Sequence, residues 1–288
     1  MDAGGEGPSW PAPAWLVEDA RRFAASGQPP APPRRAATVV LLRPCVPPPR
    51  RGVRRRSAVD GFEVYAQRRA TTMAFAPNLY AFPGGTVDPR DASADVAWCG
   101  PDLTDWSARL GLPPDEARAV ICAAVREVFE ECGVLLAGPD ETTVLGNVEG
   151  AEWEQIRLAL LARDVSLAGM LAARGLAVRA DLLTAWARWL TPEFEPRRYD
   201  TFFFLARLPG EQRTRDVGGE AIDTVWLRPS EAGRLPMLPP TAYTLHQLCA
   251  YPSIEQALAA GPTHDLTTPT MPYIHIDPDD GARLALPA

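Results

Sequence analysis

The sequence predicts an α/β fold, because clear strand and helix patterns occur together along one stretch of chain. Residues 37–44 are apolar and β-branched up to Leu42 and end at a proline, which is typical of a buried strand. Residues 62–70 alternate between apolar and polar side chains and predict a second strand. A helix is predicted at 117–132, because prolines and acids at 113–116 start it and Gly133 ends it.

The other predicted elements extend this pattern through a core domain at 36–260. They are a short strand entering a Gly-Gly turn at 84–85, a helical segment at 150–175, strands at 182–192 and 199–209, a strand turning into a helix at 223–232, and helices at 239–251 and 253–261. Residues 1–35 are predicted to be a proline-rich, partly disordered arm with a docked helix at 13–26, and residues 261–288 an irregular tail.

Composition excludes several classes of protein. The 288 residues are 46% hydrophobic, too apolar for a wholly disordered chain, and 36 acids against 29 bases give a net charge of −7. Every base is arginine, and the net charge argues against nucleic-acid binding through a basic surface. The longest apolar run, 36–42, is too short to span a membrane, and no secretory signal is visible. Five cysteines without a C-x-x-C motif fit a reduced compartment and no zinc site, so we expect a cytoplasmic protein.

Three glutamates stand out in the predicted helix 117–132. Glu127, Glu130 and Glu131 are spaced i, i+3 and i+4, so their carboxylates share one helix face. Like charges at this spacing repel each other, which a solvated helix face would tolerate. A divalent-cation site would require such a group of carboxylates, because Mg²⁺ prefers hard oxygen ligands. The turn Phe82-Pro83-Gly84-Gly85 lies upstream of the helix and allows bare backbone to approach a ligand or metal.

These residues resemble the signature of the Nudix hydrolase family, G-x5-E-x7-R-E-U-x-E-E-x-G-U, where U is apolar. Its second half matches every fixed position from Arg126 to Val134. Its first half matches at Gly85, but the next acid is Asp91 instead of glutamate. Residues 92–125 number 34 against the seven of the signature, so 27 residues, 92–118, are inserted.

The departures themselves resemble the coenzyme A diphosphatase branches of that family. Those branches have G-G-x-x-D-x-x-D, and here Gly84-Gly85 is followed by Asp88 and Asp91. The branch similar to the mammalian peroxisomal enzymes also carries a long insertion before R-E-x-F-E-E-x-G-x-L-L, as at 126–136 here. The resemblance covers about residues 36–250 and implies an α/β/α sandwich around a mixed sheet.

The resemblance also implies a chemistry for the site. Glu127, Glu130 and Glu131 would hold Mg²⁺ or Mn²⁺, with the Gly84 carbonyl as a further ligand. Arg126 would pair with Asp91 or Asp88 and fix the Gly-Gly turn. A general base is also needed: either Glu127 or a late loop carboxylate would serve. Glu220 is the first choice for that loop, and Glu193 and Glu195 are its rivals.

The expected substrate is CoA or an acyl-CoA, cleaved to 3′,5′-ADP and (acyl-)phosphopantetheine. ADP-ribose, NAD(H) or a dinucleoside polyphosphate is the alternative, and a catalytically silent nucleotide-binding module is the alternative of another class. Substrate contacts are expected at the Gly84-Gly85 turn and at Arg197 and Arg198, although surface charge would equally explain these two arginines. The arginine-rich loop 50–56 is either a solvated loop or a phosphate-recruiting patch. No nucleic acid or membrane partner is expected, and a homodimer is left open.

Overall fold

The computed structural model describes residues 9–45, 61–71, 76–215, 221–277 and 281–287. Its strands are β1 (Ser9–Pro11), β2 (Arg34–Pro44), β3 (Phe62–Arg69), β4 (Tyr80–Ala81), β5 (Gly84–Thr86), β6 (Trp98–Cys99), β7 (Ala137–Gly138), β8 (Ala177–Arg179), β9 (Thr184–Leu190), β10 (Tyr199–Arg207), β11 (Ala221–Leu227), β12 (Tyr273–Asp277) and β13 (Gly281–Ala285). Its α-helices are α1 (Ala14–Ser26), α2 (Leu103–Leu110), α3 (Pro114–Cys132), α4 (Ala151–Leu161), α5 (Leu167–Ala172), α6 (Pro239–Leu248) and α7 (Ile254–Ala260).

The central sheet is mixed, as predicted. Its main strands run in the order β11-β3-β2-β10-β9, with β4 added beside β3 and β5 beside β2. β2 and β10 are parallel, whereas the other neighbours are antiparallel. The predicted strands at 37–44, 62–70, 182–192 and 199–209 correspond to β2, β3, β9 and β10.

Helices cover both faces of this sheet. Val39 and Leu41 of β2 pack in the same cluster as α3, whereas Val40 and Leu42 pack with α6 and α7, and all four side chains are fully buried. Successive side chains of a strand point to opposite faces, so a strand covered on both sides is apolar without interruption. The α/β/α sandwich is therefore confirmed.

The insertion at 92–118 is ordered and packs beside the core. It contains β6 and α2, and β6 joins β8 and β7 in a small separate sheet. Trp106 of α2 is buried and meets Phe204 of β10 edge to face, with ring centroids 6.1 Å apart. The insertion is thus held by the apolar core of the central sheet.

The tail predicted to be irregular instead contains two strands. β12 and β13 pair with each other, and β13 also pairs with β1 of the N-terminal arm, with Trp10 opposite Leu284. The tail's prolines, which suggested irregular structure, lie outside both strands. The arm's helix, α1, is present as predicted. Among the described residues, no helix combines the length and apolar character needed to cross a membrane.

Candidate active site

The last turns of α3 and the Gly-Gly turn contribute to the lining of a cavity of about 1090 Å³. Arg126, Glu127 and Glu130 are buried there, and Glu131 is half-buried. Gly84 and Gly85 of β5 pair with Thr38 and Ala37 of β2. This pairing places the Gly-Gly turn beside α3. The carboxylates and the bare backbone, predicted from sequence to form one site, are therefore together.

Close packing explains both glycines. A Cβ at Gly85 would lie 2.5 Å from Oε1 of Glu127, and a Cβ at Gly84 would lie 2.5 Å from the Ala37 carbonyl oxygen. Neither residue has a left-handed φ, so the requirement is for space and not for backbone freedom.

Arg126 links the two halves of the interrupted motif. Its guanidinium donates to both carboxylate oxygens of Asp91, with Nε–Oδ1 and Nη2–Oδ2 distances of 3.0 Å, and to the Thr86 carbonyl at 2.9 Å. Nη1 also donates to Glu127 at 2.8 Å and to Glu130 at 3.0 Å. Of the two expected partners, the structure thus selects Asp91.

Asp88 has a different partner. It pairs with Arg90, whose Nε lies 3.0 Å from Oδ1, and this hydrogen bond lowers the pKa of Asp88 to about 2. Asp88 and Asp91 together cap the short 3₁₀ helix at Pro89–Ala92, where the insertion begins. The carboxylate pair of the G-G-x-x-D-x-x-D sequence thus fixes the chain at the edge of the site.

Burial makes Glu127 of α3 unfavourable as an anion. Loss of solvation raises the pKa of Glu127, Arg126 opposes this effect, and the charge of Glu130 adds to it. A bound cation would favour the charged form of such a carboxylate. The electrostatic demand of this cluster is thus for positive charge.

The donor chemistry suits a hard divalent cation. Glu127, Glu130 and Glu131 line the same cavity and carry carboxylate oxygens. Arg126 engages Glu127 and Glu130, and Glu131 Oε2 accepts from the Gly84 N–H at 2.9 Å and from the Gln67 amide. In this arrangement, no three acidic, histidine or cysteine side chains of the described residues are grouped to hold a metal ion. Coordination requires these side chains to exchange partners, and their role as ligands stays a prediction.

The general base is still undecided, and not all of its candidates lie among the described residues. Glu220 and the arginine loop 50–56 lie outside the described residues. Glu193 is exposed, whereas Glu195 lines the cavity, and burial together with the charge of Asp19 raises the pKa of Glu195. Glu195 is therefore the loop carboxylate that the described structure places at the cavity.

The two predicted substrate arginines lie elsewhere. Arg197 is exposed, and Arg198 is buried, with its guanidinium donating to the carbonyls of Thr191 at 3.1 Å and Ala31 at 3.0 Å. Arg198 thus ties the N-terminal arm to the turn between β9 and β10, and this geometry does not support a substrate contact.

Sequence reasoning missed other groups that line the cavity. Three further arginines border it: Arg69, Arg90 and Arg163. Arg90 is within the Gly-Gly motif segment, so its position was a usable signal. Other lining residues come from the arm and the tail, whose pairing over more than 270 residues leaves no local pattern.

Fold and site together define a hydrolase of the α/β/α type with a glutamate-rich helix. A family model described as the NUDT19 Nudix domain matches residues 107–248. A solved Nudix hydrolase from Alicyclobacillus acidocaldarius is 31% identical, with a TM-score of 0.63, and the match covers 83% of this chain and 99% of that one. The chain belongs to the Nudix hydrolase family and is of the NUDT19 type.

Curated relatives support the same subgroup. Acyl-coenzyme A diphosphatase NUDT19 of Xenopus laevis is 27% identical over 237 residues, which cover 68% of this chain and 62% of that protein. The Homo sapiens protein of the same name is 29% identical over 244 residues, with 68% and 62% covered. The chain thus spans a little under two thirds of these relatives' length.

Proposed function

We propose that this protein hydrolyses the diphosphate of CoA or an acyl-CoA, releasing 3′,5′-ADP and (acyl-)phosphopantetheine. The observation that carries the proposal is the cluster of Glu127, Glu130 and Glu131 against the Gly84-Gly85 turn in the lining of a large cavity. The NUDT19 relatives, named as acyl-coenzyme A diphosphatases, support the choice of substrate.

The site residues divide the work by their chemistry. The three glutamates would hold Mg²⁺ or Mn²⁺, which when bound neutralises charge on the diphosphate and lowers the pKa of coordinated water. The bare backbone of Gly84 and Gly85 lets the turn pack directly against β2 and the Glu127 carboxylate. Arg126 keeps the turn and the helix together through Asp91 and Thr86.

The remaining groups bind and activate. Arg69, Arg90 and Arg163 border the cavity, and guanidinium groups suit phosphate oxygens. Glu195, which lines the cavity, is the proposed acceptor of the proton of the attacking water, and its raised pKa brings it closer to that of an effective base near neutral pH.

A substrate panel tests the proposal. The purified chain, with Mg²⁺ or Mn²⁺, is incubated with CoA, octanoyl-CoA, ADP-ribose, NADH and diadenosine tetraphosphate, and the products are identified by mass spectrometry. We expect 3′,5′-ADP from the two CoA compounds, and Glu131→Gln should reduce the rate at least about 100-fold.

Other outcomes have clear meanings. Rapid cleavage of ADP-ribose, NADH or the dinucleotide with only background CoA turnover would contradict the substrate. No turnover of any compound, with nucleotide binding detected by calorimetry, would contradict hydrolysis and support a binding module. Unchanged turnover in Glu131→Gln would contradict the role of the glutamate cluster.

A further inference from the structure

Besides the glutamate cluster, the cavity lining contains an apolar wall. Three segments that are distant in sequence build this wall: the N-terminal arm, the turn after β9 and the tail. Six apolar residues from these segments line the cavity: Trp10, Trp15, Leu16, Phe194, Pro272 and Leu284. We call these six residues the apolar wall. Trp15 is 61% exposed although it lines the cavity. Trp15 thus leaves apolar surface accessible beside the other apolar side chains of this lining.

The apolar wall is fixed by several independent contacts. β1 pairs with β13, with Trp10 opposite Leu284, and Arg283 Nε donates to Ser9 Oγ at 2.8 Å. α1 is anchored by the buried Leu16 and Val17. Arg198 bonds to the Ala31 carbonyl and so holds the chain after α1 against the turn that carries Phe194. The wall is therefore a defined part of the fold.

We infer that the apolar wall binds the acyl chain of a coenzyme A thioester. This inference rests on the proposed function. Glu127, Glu130, Glu131 and the arginines of the lining suit the diphosphate, whereas the wall offers aliphatic, proline and aromatic side chains to the same cavity. A hydrocarbon chain needs apolar contact alone, whereas an adenine base also presents hydrogen-bonding edges. The volume of about 1090 Å³ lies at the upper end of ordinary ligand pockets, which suits a long substrate.

Chain-length dependence tests the inference. The kcat/KM of the wild-type protein is measured for CoA and for butyryl-, octanoyl- and dodecanoyl-CoA below their micellar concentrations. Each fully buried CH₂ group would raise kcat/KM by up to about fourfold. Trp15→Ser and Phe194→Ser should each lower kcat/KM for dodecanoyl-CoA about tenfold and leave the value for CoA unchanged.

Leu158→Ser is the matched control. Leu158 is 48% exposed on α4 and does not line the cavity, so this substitution removes an exposed apolar side chain without touching the wall. It should preserve the chain-length dependence. Because Trp15 is exposed, its replacement should also preserve the melting temperature.

The outcomes separate the inference from the proposed function. Wild-type turnover that is equal for CoA and all thioesters would overturn the inference and leave the function standing. An equal loss for CoA and dodecanoyl-CoA in Trp15→Ser would overturn it in favour of adenine stacking, and no loss in either wall variant would also overturn it. If no CoA compound is cleaved, the proposed function fails. Calorimetry in EDTA then tests the inference by itself. Tighter binding of dodecanoyl-CoA than of CoA would support acyl-chain binding at the apolar wall, and equal binding would overturn it.

Discussion

Gly85→Ala tests whether activity depends on the position of the Glu127 carboxylate. The new Cβ would lie 2.5 Å from Glu127 Oε1 and 2.6 Å from its Cδ, whereas ordinary contacts begin near 3.4 Å. The carboxylate must therefore move by about 1 Å. Alanine adds no backbone strain here, because Gly85 has no left-handed φ. A displacement of about 1 Å in a group that positions reactants costs about 100-fold in rate, so we expect kcat to fall by about that factor.

Gly84→Ala is the comparison, because its clash is with backbone. Its Cβ would lie 2.5 Å from the Ala37 carbonyl oxygen and 2.7 Å from Thr38 Cα, and neither atom of β2 can swing away. Overpacking of this kind costs about 1–3 kcal/mol in unfolding free energy. The assay measures kcat and melting temperature for both variants. Full kcat in Gly85→Ala would refute the requirement for Glu127 at this position, and an equal loss of melting temperature in both variants would refute a local displacement.

Three further predictions concern buried charge. Arg126→Met should lower the unfolding free energy measured in urea by about 3–5 kcal/mol, because it leaves buried carboxylates, including that of Asp91, without their charged partner. Arg126→Lys should recover part of this loss. A change under about 1 kcal/mol would contradict the role of Arg126 in linking the two halves of the motif. Glu195→Gln should raise the unfolding free energy at pH 8 but not at pH 3.5. A pKa raised by burial costs stability once pH passes through it, so equal changes at both pH values would contradict this sign. Arg198→Met should lower the melting temperature and leave the KM for CoA unchanged, and the reverse would restore its predicted substrate contact.

Local patterns predicted those parts of the fold that depend on local physics. The strand predicted at 37–44 is largely apolar because β2 is covered on both faces. It can therefore be predicted from its own residues, without knowledge of the strands beside it. The helix at 117–132 shows its start, its end and the carboxylate face in consecutive residues. The meeting of that face with Gly84 and Gly85 required the family signature in addition, because the insertion separates the two segments.

Features set by distant contacts could not be predicted in this way. Asp88 and Asp91 looked equivalent as partners for Arg126, and only the position of Arg90 beside Asp88 separates them. Arg198 is buried because the arm returns to it from more than 160 residues away, and no local pattern marks an arginine as buried. The tail strands β12 and β13 pair with each other, and β1 adds a third strand from the opposite end of the chain.

The geometry of α3 explains why a motif interrupted by 27 residues can still form a site. The inserted residues rejoin the chain at the first turn of α3, near Pro114, whereas Glu127 lies thirteen residues further on, or about 20 Å along the helix axis. The other end of the insertion leaves beside the site, where Asp91 is held by Arg126. The Gly-Gly turn is thus fixed to the helix before the insertion begins. Additional chain between these two points therefore changes what packs on the first turns of α3 without changing the distance between Gly85 and Glu127.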